Sequence, residues 1–230
     1  MKRVKNIVIY LVLMIIIVAI TIGGFLFLEI LQEMIFVNGE YIMWIFKWPY
    51  NRLVFIFEIY LMIFFVSKIN KLNFDKDTKK ASIWASNKIK RFKGIFLVLN
   101  IILLYVMIVN VTVIKRENII DYSVLKPLGK EYSYKDISKI ETGIYGSNIP
   151  FVREKGEFYY YLEFNDGHKI NLNNILGGTY NELDTYEEIE IIDRELVLLG
   201  IDKESSRDNI DYCDLAQTYV DRFERIINNK

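Results

Sequence analysis

The sequence predicts an α+β protein: three transmembrane helices, then a small antiparallel β-sheet domain capped by C-terminal helices. Three observations lead there. Long uncharged runs are confined to the first half of the 230 residues. Charge divides the same way: residues 1–114 carry 14 Lys/Arg against 6 Asp/Glu, and residues 115–230 carry 15 against 23. Beyond Arg116 the apolar pattern changes to short alternating segments bounded by turn residues.

The first run, Ile7–Leu28, has 22 residues without a charge. At a rise of ~1.5 Å per residue it reaches roughly 33 Å, enough for the hydrocarbon core. It is too long for a signal-peptide core and lacks an A-x-A-like cleavage site, so a retained anchor is expected. Ile95–Ile114 is a second clean run of 20 residues, between Lys93 and Lys115-Arg116. The middle segment, Leu53–Ser67, is apolar except for Glu58 and is flanked by Arg52 and Lys68, whose stems can snorkel. Trp44, Trp48, Tyr50 and Tyr60 are rings of the kind that favour a membrane interface. Helices over about 7–31, 51–69 and 94–114 are therefore predicted within a membrane domain of residues 1–114.

The segment Lys68–Lys93 holds nine Lys/Arg and two acids, and the N-terminus holds Lys2, Arg3 and Lys5. The positive-inside rule assigns both to the cytoplasm. A multi-pass cell-membrane protein with a cytoplasmic N-terminus and an extracellular C-terminal domain follows. Ile83, Trp84, Ile89 and Phe92 would form an amphipathic helix in the basic loop.

In the soluble half, residues 115–230, strands are predicted at Asn118–Val124, Lys130–Tyr134, Ser138–Tyr145, Glu157–Phe164 and His168–Leu172. Leu125–Gly129, with Pro127 and Gly129, reads as the first turn. Phe158, Tyr160, Leu162 and Phe164 share one face, with Tyr159, Tyr161 and Glu163 on the other. Asn165-Asp166-Gly167 supplies a hairpin turn, since Gly can take positive φ. Thr185–Glu188 fits a capping box ahead of Ile189, Ile192, Leu196 and Leu199, and Gly200 is a stop. Asp202–Asn209 is a polar connector, and Tyr212, Leu215, Tyr219, Phe223 and Ile226 stripe a last helix.

The stretch Tyr132–Ile140, with Tyr160–Phe164 and Asp166–Ile170, resembles the bacterial pleckstrin-homology-like domains that follow transmembrane helices in small proteins. The likeness covers residues 117–228. It implies a bent antiparallel sheet capped by a C-terminal helix, and it carries over no catalytic residues. Two helical segments follow the strands here, where that fold needs one.

No phosphate loop and no nucleophile elbow is present. His168, the single histidine, sits beside a hairpin turn without a base-orienting signature. One cysteine, Cys213, excludes an intramolecular disulfide. The acids Glu182, Asp184, Glu187, Glu188, Glu190 and Asp193 read as a solvated face with Glu190 and Arg194 paired at i, i+4. The acidic surplus argues against nucleic acid. The leading expectation is a non-enzymatic protein without metal or cofactor. Its partners would be the lipid bilayer and a membrane or envelope protein. One alternative is a transport or sensing component in which Glu58, Asn100 and Asn110 line a polar path. The other is a membrane-anchored enzyme.

Overall fold

The computed structural model describes residues 2–73, 93–150, 152–173, 176–181 and 183–229. The chain divides into two compact units, Met1–Leu31 with Tyr50–Val109, and Gln32–Pro49 with Asn110–Lys230.

The first unit contains most of helix α1 (Lys2–Phe36), with α2 (Val54–Asn73) and α3 (Lys93–Val109). Among the described residues, one helix is long and apolar enough to cross a membrane: α1, over its 23 residues Met14–Phe36. Met14, Ile15, Ile22 and Phe27 on this stretch are exposed. The three-span expectation is corrected here. In α2 the apolar run is too short, because Glu58, Lys68 and Lys71 all fall inside its 20 residues. In α3 the apolar part is Gly94–Val109, and the helix stops there because the chain turns extended at Val111. Its 17 residues reach ~26 Å, short of the ~30 Å core. The expected amphipathic helix at Ile83–Phe92 lies outside the described residues.

The second unit is built on two sheets. A five-stranded antiparallel sheet has the order β4-β3-β2-β1-β8, from β1 (Met43–Phe46), β2 (Val111–Ile114), β3 (Asn118–Ser123), β4 (Lys126–Ser133) and β8 (Gly177–Thr179). A four-stranded sheet has the order β7-β6-β5-β9, from β5 (Ile137–Ile144), β6 (Phe158–Phe164), β7 (Lys169–Asn171) and β9 (Lys203–Ser206). Strand β9 runs parallel to β5, and the other pairs are antiparallel. Helices α4 (Thr185–Leu198) and α5 (Gln217–Asn228) complete the unit. One hydrophobic core joins all of these: Met43, Ile114 and Ile119 from the first sheet, Tyr160, Leu162 and Phe164 from the second, and Ile192 and Phe223 from the helices.

Several local readings change. Trp44 is buried in β1 instead of lying at a membrane interface, because β1 is flanked by β2 and β8. The supposed turn at Leu125–Gly129 is mostly strand. Pro127 is tolerated there because β4 is an edge, where a missing N–H costs no ladder bond. Helix α4 is capped by Asp184, whose side chain accepts from the Tyr186 N–H at 2.8 Å, one residue ahead of the expected box. Tyr212 and Leu215 are exposed and precede α5, so its buried stripe is Phe223, Ile226 and Ile227.

Candidate functional site

Alternation along β6 turns Phe158, Tyr160, Leu162 and Phe164 into the core and leaves Tyr159, Tyr161 and Glu163 half-buried on the opposite face. Pairing with β5 sets Glu141 opposite Tyr161 and Gly143 opposite Tyr159. At one end of this face, Lys169 Nζ lies 3.0 Å from both Glu141 and Glu163, and Lys139 lies 2.6 Å from Glu204. At the other end stand three tyrosines. The rings of Tyr145 and Tyr159 stack at 4.6 Å, Tyr159 and Tyr161 meet at 5.9 Å, and the hydroxyls of Tyr145 and Tyr161 are 2.7 Å apart. The Arg153 guanidinium lies 4.9 Å from the Tyr145 ring centre. Gly143 makes this possible, because a Cβ there would come within 2.7 Å of the Tyr159 hydroxyl. Burial, and then the bond with Tyr161, raises the Tyr145 phenol well above its ordinary range, so Tyr145 stays neutral and able to donate. The result is a half-exposed aromatic floor with polar tips, rimmed by an ion-paired lattice.

A second polar node ties the sheets of this unit together. Asp121 on β3 is buried and accepts from Thr112 Oγ1 at 2.6 Å, and Lys47 Nζ lies 2.6 Å from the same oxygen. Its other oxygen is 3.0 Å from Nε2 of His168, in the β6–β7 turn. Burial pushes the Asp121 carboxyl up, but His168, Lys47 and Thr112 together outweigh it and hold the carboxyl below its ordinary value. Burial lowers the Lys47 amine, against the pull of Asp121. His168 therefore has an orienting carboxylate that its own sequence neighbourhood does not show, 47 residues away. The imidazole also lies parallel to the Tyr132 ring at 5.8 Å. These contacts position His168 as a bracket between sheets, with Thr112 committed to the carboxylate and Lys47 donating also to the Tyr122 carbonyl.

The acidic run is less solvated than its composition implies. Glu188, Glu190 and Asp193 are buried. Asp193 accepts from Tyr160 at 2.8 Å and from Asn229 at 2.8 Å, and pairs with Lys203 at 2.5 Å. Glu190 takes Arg194 at 2.6 Å, as its spacing predicts, and also Arg225 at 2.8 Å. Glu182 lies outside the described residues, and among the described residues no group of three or more His, Cys, Asp or Glu could hold a metal ion. Glu58 is half-buried on α2. Asn100 on α3 donates at 2.7 Å to the carbonyl of Phe96, one turn back on its own helix. Asn110 belongs to the second unit, where it is buried and its carbonyl accepts from the Lys47 N–H at 3.1 Å. Cys213 is a half-buried free thiol.

Sequence reasoning found the outward positions of Tyr159 and Tyr161 but not their union with Tyr145 and Arg153, which depends on the β5–β6 register. Comparison with protein-family models, characterised proteins and solved structures finds no match to this chain.

Proposed function

We propose that this chain is a membrane-anchored interaction protein, in which α1 holds the bilayer and the tyrosine face of β5–β6 receives a protein partner in the membrane or envelope. The observation that carries the reading is the cluster of Tyr145, Tyr159 and Tyr161, stacked and hydroxyl-linked yet half-exposed. Tyrosines fixed in this way offer large contact area at small entropic cost, the usual composition of a binding centre. The kinship of residues 117–228 to pleckstrin-homology-like domains belongs to the same proposal and rests on the strand pattern alone. For sidedness, the basic residues nearest the span are Lys2, Arg3 and Lys5 before it and Lys47 and Arg52 after it. Counted that near the span, three against two favours a cytoplasmic N-terminus and an external domain. With one span, that orientation carries the nine Lys/Arg of Lys68–Lys93 outside as well and so gives up their cytoplasmic assignment.

The test is photocrosslinking of the full chain in cells, with p-benzoylphenylalanine at position 161 and, as control, at Leu198, which is 86% exposed. The expected result is a discrete protein adduct from position 161 alone, weakened by Tyr159→Ala. The same adduct from both positions, or none from either, refutes it. Impermeant maleimide on a Cys213→Ser, Lys230→Cys chain in intact cells reads the side of the membrane.

A further inference from the structure

The ladder between β1 and β8 ends where Met43 faces Thr179, and the Tyr180 N–H continues it by donating to the Ile42 carbonyl at 3.0 Å. This brings Tyr41 and Tyr180 together edge to face, with centroids 5.3 Å apart at 82°. Beside them opens a pocket of about 400 Å³, also lined by Glu40, Glu188, Glu195 and Arg116. Three carboxylates against one guanidinium leave it net negative. Glu188 differs from its neighbours. It is 2% exposed, and its Oε1 has no hydrogen-bond partner among the described residues. A buried carboxylate oxygen without a donor is costly, and a ligand bearing a donor would relieve it.

From this geometry we infer that the pocket is a binding site for a primary ammonium group. A primary ammonium carries three donors on a compact charge, matching the open acceptor of Glu188, while the Tyr41 and Tyr180 rings supply cation–π faces. A quaternary ammonium would meet the rings but has no N–H for Glu188. The volume lies in the range of small-molecule sites. Burial raises the Glu188 carboxyl above its ordinary value, a hydrogen bond from the Asn181 side chain on the same pocket wall offsets part of that cost, and a bound cation at the open Oε1 would offset more. The same chemistry occurs in soluble small amines and in the amine headgroup of a phospholipid. Glu40 follows Phe36, the last residue of the span, by four positions, within ~14 Å of extended chain. The site is independent of the tyrosine face, which lies on other strands.

The test is calorimetric titration of the full chain in detergent with ethanolamine, with choline as the quaternary control. Saturable ethanolamine binding is expected, with choline weaker. Glu188→Gln should lose roughly tenfold in affinity, and Tyr180→Leu, at a 55% exposed position, several-fold while keeping the fold. Equal affinity in wild type and both folded variants, or no saturable heat up to about 10 mM ethanolamine, overturns the inference. The titration is then repeated in nanodiscs of phosphatidylcholine with or without phosphatidylethanolamine. Suppression of ethanolamine binding by phosphatidylethanolamine identifies the headgroup as the source, and unchanged binding identifies a soluble amine.

Discussion

Glu190→Gln isolates a single electrostatic contribution. Glu190 is buried to 6% exposure on α4 and receives Arg194 at 2.6 Å and Arg225 at 2.8 and 3.0 Å, with Arg222 at 3.5 Å. The Arg225 hydrogen bonds come first among the causes that hold its carboxyl down, from the ordinary 4.5 to about 2, against the cost of burial. At ~1.4 kcal/mol per tenfold change in proton affinity, that shift has a ceiling of about 3 kcal/mol. The Arg194 and Arg225 side chains are 63% and 55% exposed, so water screens them and about 2 kcal/mol is the reasonable expectation. Because the folded carboxyl is depressed, its stabilisation is complete above about pH 4.5 and is lost as pH falls toward about 2. Urea unfolding of the full chain in mild detergent, followed by the fluorescence of buried Trp44, should give the variant a deficit of about 2 kcal/mol at neutral pH. That deficit should shrink as pH falls from about 4.5 and close toward zero below about pH 2, where the protonated acid and the amide are alike. A deficit that stays constant with pH, or one under about 0.5 kcal/mol at neutral pH, refutes the argument.

Other perturbations follow from the same unit. Lys203→Met should cost about 3–5 kcal/mol in urea unfolding, because it strands Asp193 at 1% exposure, and adding Asp193→Leu should recover much of that loss. Gly156→Ala, at φ +87°, would set a Cβ 2.0 Å from the Tyr212 carbonyl oxygen, and a loss of at least about 2 kcal/mol is expected from thermal melts. Phe223→Ala should lose about 3–5 kcal/mol, since its ring lies within 2° of parallel to Phe158 at 4.3 Å and is fully buried. Tyr160→Phe removes one buried donor to Asp193 and should cost about 1–2 kcal/mol, measurable by the same melts.

Where one face of an element is apolar and its neighbour is close in sequence, the sequence was a sufficient guide. The Phe158–Phe164 alternation, the Asn165–Gly167 turn and the Ile189–Leu196 stripe needed only local periodicity. The failures share a cause. Strand β9 reads Lys-Glu-Ser-Ser, which no apolar pattern marks; it forms because β5 offers a free edge and Asp193 takes up the Lys203 charge. Strand β1, Met-Trp-Ile-Phe, has the same apolar composition as a membrane flank, and only its partners β2 and β8 distinguish the two. Of the Asp121 node, His168 alone was visible, because Lys47 and Asp121 arrive from distant strands. The pocket at Glu188 likewise joins β1, β8 and α4.

The interior place of β1 in its sheet, between β2 and β8, also shapes how the chain can be made. Met43–Phe46 leaves the ribosome roughly 65 residues before its first partner, β2, and some 130 before β8. At ~5–20 residues per second, four apolar residues wait for several seconds without a ladder while α2 and α3 are synthesised. A nascent chain in that state has an open edge on either side of β1 next to the long apolar helix α1. Premature termination before Val111 would therefore release a hydrophobic fragment, whereas cleavage in the exposed Ser147–Pro150 loop would leave β1 and β2 already paired.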